Sequence, residues 1–143
     1  MPLDVIDIRG FYASALGRVT RDCLTLALRD AWPRTQGLSV MGLGFAIPYL
    51  DLFRDEAERV ISVMPERQGV IEWPQGGPSA SILAAPGALP FPDSSIDRAL
   101  VIHALETQDR PQELLNELWR VLSPGGHAIV IAPNRRGLWA RID

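Results

Sequence analysis

The sequence predicts an α/β fold built on a parallel sheet. Three observations carry that expectation: short apolar runs bounded by turn residues, amphipathic helical patterns between them, and a length of 143 residues that fits one domain. At 47% apolar residues, the chain has the composition of an ordinary globular protein with a packed core.

Ser14 caps a helix running to about Ala31, in which Leu16, Val19, Cys23, Leu26, Ala27 and Asp30 share one face, apolar until the last turn. Trp32-Pro33 ends it, because a proline disfavours helix in the residue before it. The run from Leu38 is a short first strand entering a glycine-containing turn, followed by a helical pattern through Tyr49, Leu50, Leu52 and Phe53. Val60 to Met64 is a second strand bounded by Pro65, Ser81 to Ala85 a weaker third, and Asp97 to His103 a strong fourth. Between Pro65 and Pro78 the density of Pro and Gly predicts a loop. Pro111 opens a helix to Leu122 with Leu114, Leu115, Leu118, Val121 and Leu122 as its buried stripe. Ser123-Pro-Gly-Gly stops that helix, and His127 to Ala132 forms the fifth strand. Residues 1–36 read as an N-terminal helical segment and 37–143 as the α/β core.

Composition narrows the function. Fourteen basic residues oppose 17 acidic ones, a net charge of -3 without a basic stripe, which argues against a nucleic-acid partner. No apolar run approaches the ~20 residues of a membrane span, and MPLDVIDIRG is too charged for a signal peptide. Cys23 is the only cysteine, so an intrachain disulfide is excluded and a cytoplasmic location is expected. Every basic residue is Arg, a sign of a GC-rich bacterial genome; without Lys, Schiff-base chemistry is closed to the chain.

Two segments, LPFPDSSIDRALVIHALE from Leu89 and LLNELWRVLSPGGHAIVIAPN from Leu114, closely resemble the class I S-adenosylmethionine-dependent methyltransferases. The resemblance is to the broad group that includes the ubiquinone and menaquinone biosynthesis methyltransferases. It covers roughly Leu38 to Arg141 and is most specific from Leu89 to Asn134. It implies a Rossmann-like, mostly parallel sheet with helices on both faces, and S-adenosylmethionine at the carboxyl ends of the first strands. The acceptor it implies is a small molecule. The family sheet continues beyond the fifth strand, so this chain is expected to be C-terminally incomplete, its open sheet edge covered by a partner protein or a second copy.

The resemblance also implies where the cofactor lies. Gly42-Leu-Gly-Phe-Ala-Ile-Pro corresponds to the glycine turn after the first strand. Gly42 stands where the family has an acid, Gly44 is retained, and Ala46 and Pro48 replace the other glycines. The ribose-binding acid maps to Met64, with Glu66 nearby, and the acid facing adenine maps to Ala85. The implied cofactor contacts are Gly42, Gly44, Phe45, Ala46, Met64, Leu89 and His103. Each missing hydrogen bond costs ~1–3 kcal/mol. Two readings follow: a methyltransferase holding its cofactor by backbone and apolar contacts, with Phe45, Tyr49 and Met64 packing on it, or a non-catalytic module with a decayed site. A nicotinamide-dependent oxidoreductase fits worse, because its glycine fingerprint and ribose acid are absent too.

His103, just past the fourth strand, is the candidate general base, set against the commoner non-catalytic strand-end histidine. Glu106 follows on the same turn, where a helix N-terminus would also favour its charge. His127 is expected at the amino end of its strand, in a structural role. Asp93 and Asp97 are explained by local turn hydrogen bonds, and Trp119 and Cys23 by packing. Arg135, Arg136 and Arg141, interleaved with Trp139, are either an anion site or solvated surface.

Overall fold

The computed structural model describes residues 5–65, 73–74, 80–85 and 87–133. Helices α1 (Val5–Ala13) and α2 (Ala15–Ala31) precede β1 (Ser39–Gly44), α3 (Ile47–Arg54) and β2 (Arg59–Pro65). Then come β3 (Ser81–Ala84), β4 (Ile96–Ile102), a short 3-10 turn (Leu105–Thr107), α4 (Pro111–Val121) and β5 (Leu122–Ile131). The strands form one sheet in the order β3-β2-β1-β4-β5, with every pairing parallel. The expected parallel α/β sheet, with β1 at its centre, is therefore what forms.

Strand alternation sends successive side chains to opposite faces. Leu43, Val63, Ala99 and Val101 pack on one face against Leu114, Leu118 and Val121 of α4. Val40, Leu100 and Ile102 pack on the other against Leu28 and Trp32 of the α2 end and Tyr49, Leu50 and Phe53 of α3. Each large aliphatic side chain fully buried this way contributes about 1.5–3 kcal/mol. Strands covered on both faces explain why the sequence shows continuous apolar runs rather than alternation.

Several packing expectations are corrected. Ser14 does cap α2, its hydroxyl accepting from the Gly17 N–H. The face of Leu16, Val19, Cys23 and Leu26 nevertheless points outward, Leu26 being 74% exposed and Cys23 exposed rather than core. The helix is rotated so that Gly17 and Leu28 are buried, since a Cβ at Gly17 would strike the Phe11 carbonyl and only glycine lets α1 fold back so tightly. On α4, Leu115 is partly exposed and Trp119 is 85% exposed, so Trp119 packs little.

Ser123-Pro-Gly-Gly does not separate helix from strand. Leu122 turns extended at once and pairs with Ile96, and an irregularity before the Arg98–His127 pair, with Gly125 at φ +76°, absorbs the segment within β5. His127 is thus mid-strand. Asp97 is not a local turn residue either: it accepts from the Ser39 N–H and the Ser123 hydroxyl, both at 2.8 Å, joining β4 to the starts of β1 and β5. Glu66, Arg135, Arg136, Trp139 and Arg141 lie outside the described residues.

The LPFPD segment is fastened to α4 by one arginine. Arg120 donates to the carbonyls of Leu89 (2.9 Å) and Phe91 (2.8 Å), to Asp93 (2.8 Å) and to both oxygens of Glu117. Glu117 in turn accepts from the Leu89 N–H at 2.7 Å. The hydrogen bonds from Arg120, above all, hold the Glu117 carboxyl below its ordinary value of 4.5. Glu56 is lowered in the same direction, first by its bond from Thr35 and then by Arg29, which ties the end of α2 to α3. A carboxyl depressed in the folded state stabilises above its ordinary value, and that stability is lost as pH falls through the depressed value. Thermal unfolding between about pH 3 and pH 6 should therefore show a falling acid limb, and Arg120→Leu should both lower stability near neutral pH and shrink that limb. An unchanged limb in Arg120→Leu would contradict the assignment.

Candidate functional site

The parallel register brings one end of every strand together. Gly44 pairs with Ile102, Ile102 with Ile131, Met64 with Leu83 and Pro65 with Ala84. In an open α/β sheet the ligand crevice lies outside these carboxyl ends, where strand order reverses. Here that point falls between β1 and β4.

Gly44 has φ +82°, and a Cβ there would strike the Ile102 carbonyl and lie 2.8 Å from the Ala104 Cβ. Only glycine satisfies both the conformation and the approach. The next residue, Phe45, donates its N–H to the Ile102 carbonyl at 2.8 Å, closing the turn onto β4. Ala46 is fully buried and begins α3, accepting from the Tyr49 and Leu50 N–H groups; Pro48 sits in the first turn of α3, where no N–H is needed. Replacing two family glycines thus leaves the helix start intact.

His103 follows directly from β4, its N–H donating to the Ile131 carbonyl at 3.2 Å. Its backbone is left-handed, φ +52°, a costly conformation for a residue with a side chain. Glu106 Oε1 lies 3.3 Å from Nδ1, and the two side chains are 11% and 14% exposed. Nε2 lies 3.2 Å from the Tyr12 hydroxyl, which in turn is 2.8 Å from that of Tyr49. The Tyr12 ring is stacked on Phe45, centroids 5.4 Å apart at 20°. Burial pushes both phenols above their ordinary value, so they stay protonated through neutral pH.

Of the residues singled out from sequence, Gly44, Phe45, Ala46, Met64 and His103 gather at the carboxyl edge. Met64, at the end of β2, is 1% exposed. Leu89 sits in the α4-side core with its backbone held by Glu117 and Arg120. The sequence marks Tyr12 only by its spacing from Ile8, four residues apart on one helix face. Among the described residues no group of three or more His, Cys, Asp or Glu could hold a metal, and no helix is long and apolar enough to cross a membrane.

Gly42 has a different reason to be glycine. A Cβ there would lie 2.7 Å from both the Ala46 Cβ and a Leu50 methyl. The space of the family's acid is occupied by the start of α3. Gly42→Asp should therefore destabilise by about 1–3 kcal/mol in urea unfolding, as overpacked sites do. A variant as stable as the parent would show that α3 yields there.

The family described as "Methyltransferase domain" matches residues 39–130. An uncharacterized methyltransferase of Mycobacteroides abscessus is 32% identical over 126 residues, covering 80% of this chain and 48% of that protein. A demethylmenaquinone methyltransferase of Thermus thermophilus is 31% identical over 109 residues, covering 76% and 41%. The fold is that of a SAM-dependent methyltransferase from Archaeoglobus fulgidus, with TM-score 0.64 at 21% identity over 85% of this chain and 57% of that one. The chain spans about half the length of the curated relatives it matches. With more than half of its residues matched by the family, and with the central β1 and its glycine turn inside that match, the chain belongs to the methyltransferase-domain family of class I S-adenosylmethionine-dependent methyltransferases.

Proposed function

We propose that this chain carries the cofactor-binding part of a bacterial, cytoplasmic methyltransferase that acts on a small-molecule acceptor. The observation that carries the reading is the Gly44 turn at the strand-order reversal, with His103 beside it. The turn fits S-adenosylmethionine, because a glycine without room for a Cβ leaves backbone at the crevice surface. The side chains fit by apolar contact only: Gly42, Met64 and Ala85 stand at the acid positions. Gly44, Phe45, Ala46 and Met64 would hold the cofactor's methionine and ribose portions, with the adenine toward Ala85 and Leu89. When bound, the cofactor supplies a sulfonium-activated methyl group, so the protein's task is positioning.

The remaining chemistry belongs to the chain's own residues. His103 has Nδ1 3.3 Å from Glu106 Oε1 and Nε2 on the crevice side, 3.2 Å from the Tyr12 hydroxyl that an acceptor would replace. An acceptor O–H or N–H placed there gives its proton to Nε2, and the Glu106 carboxylate stabilises the imidazolium that forms. Phe45 and Tyr49, both buried, supply apolar surface beside it.

The three absent acids are the observation behind the second reading, a module that keeps the fold without the cofactor. Calorimetric titration with S-adenosylhomocysteine separates the two. The wild type should bind saturably. Met64→Glu should bind about tenfold more tightly, because a hydrogen bond to a charged group contributes ~1.5–3 kcal/mol, less what burial of the carboxylate costs. Binding by Met64→Glu alone would mean a non-catalytic module, and binding by neither protein would overturn the cofactor assignment.

A further inference from the structure

Helix α2 carries an apolar seam that the fold leaves in solvent. Leu16, Val19 and Leu26 are 50%, 59% and 74% exposed, and Cys23 between them is exposed as well. Their spacing is three, four and three residues, the a and d positions of a heptad, so the four side chains stand in one line about 15 Å long. Gly17 and Leu28, the residues that α2 buries, lie on the opposite side of the helix. The next position of the repeat is Asp30, also exposed, which closes the seam. A singly exposed leucine is ordinary on a protein surface, but four apolar residues at heptad spacing are the pattern one helix presents to another. Thr20 and Ala27, on one flank of the seam, are small enough to let a second helix come close.

We propose that this seam is an interface between two copies of the chain, their α2 helices packed antiparallel about a two-fold axis level with Arg21. Leu16 then meets the partner's Leu26, and Val19 meets the partner's Cys23, so all four layers are apolar and each contact occurs twice. A parallel pair would set every residue against its own copy and put Asp30 against Asp30 inside the seam. The antiparallel pair leaves Asp30 beyond the last layer. Charge points the same way. Arg18 and Asp22 share the other flank of the helix, and reversal brings Arg18 within two residues, about 3 Å along the axis, of the partner's Asp22. In the parallel arrangement that flank faces Thr20 and Ala27, which carry no charge. The seam is smaller than the about 800 Å² per partner of a standard interface, so the dimer is a weak one that forms in the micromolar range.

Sedimentation velocity of the whole chain, from low micromolar to near-millimolar concentration, tests the interface. The wild type should pass from monomer to dimer across that range. Leu26→Glu, at a side chain already in solvent in the monomer, should keep the wild-type circular dichroism and weaken association at least about tenfold, because it sets a charge against the partner's Leu16 at both ends of the seam. Trp119→Ser removes the most exposed apolar side chain on α4 and should leave association unchanged. Orientation is read by mild oxidation under non-reducing electrophoresis. Val19→Cys sets a thiol level with the partner's Cys23 and should give a disulfide-linked dimer. Wild type, whose two Cys23 lie four residues, about 6 Å, apart along the axis, should give none. A wild type that stays monomeric throughout leaves the face to a partner of another kind and overturns the proposal. So does a dimer that survives Leu26→Glu but is lost in Trp119→Ser. Rapid disulfide formation through Cys23 in the wild type would mean parallel helices and overturn the antiparallel assignment.

Discussion

Gly44 leaves β1 at φ +82°, so close to β4 that a Cβ would strike the Ile102 carbonyl. Most of the functional geometry depends on that approach. The turn it permits places the Phe45 N–H on the same carbonyl, and Phe45 then becomes the floor on which Tyr12 stacks. It starts α3 at Ala46, which brings Tyr49 to the Tyr12 hydroxyl. On the other side of the contact, β4 ends and His103 emerges in its left-handed conformation. A side chain at residue 44 would separate the two strands at the point where a ligand must sit, and the crevice would lose its floor and its wall together.

The second organising feature is Arg120. Its five hydrogen bonds gather a segment that is otherwise a run of prolines and turns. This explains physically why LPFPD and WRV occur in one sequence: the arginine of the second satisfies the backbone carbonyls and aspartate of the first. Asp97 acts similarly at the same amino end of the sheet, joining three strands at their starts. Neither residue does chemistry. Both fix the start of β4, and His103 follows its other end.

Much of this was legible from sequence because buried parallel strands write themselves as apolar runs and because Pro111, Trp32-Pro33 and Ser14 are strong punctuation. Gly44 could be identified as a turn glycine for the same reason. What failed was orientation. The apolar residues of α2 lie on two neighbouring stripes, and periodicity cannot say which one meets the sheet; the close fit of Gly17 on Phe11 decides it, at a contact between helices that no local pattern encodes. Ser123-Pro-Gly-Gly misled because its turn signal is spent on an irregularity inside β5. Tyr12 stayed invisible because its partners, Tyr49 and His103, are 37 and 91 residues away. The missing acids at Gly42, Met64 and Ala85 could be read directly, but not that Ala46 and Leu50 fill the space beside Gly42.

The central claim is that the crevice above Gly44 is where this chain meets its cofactor, without carboxylate anchors. Backbone amide NMR of the whole chain titrated with S-adenosylhomocysteine tests it most directly. The account predicts that the largest shifts fall on Gly44, Phe45, Ala46, Met64 and His103, while Gly125 and Gly126 at the opposite end of the sheet stay in place. Shifts concentrated around Trp119, Gly125 and Gly126, with the Gly44 amide unmoved, would contradict it.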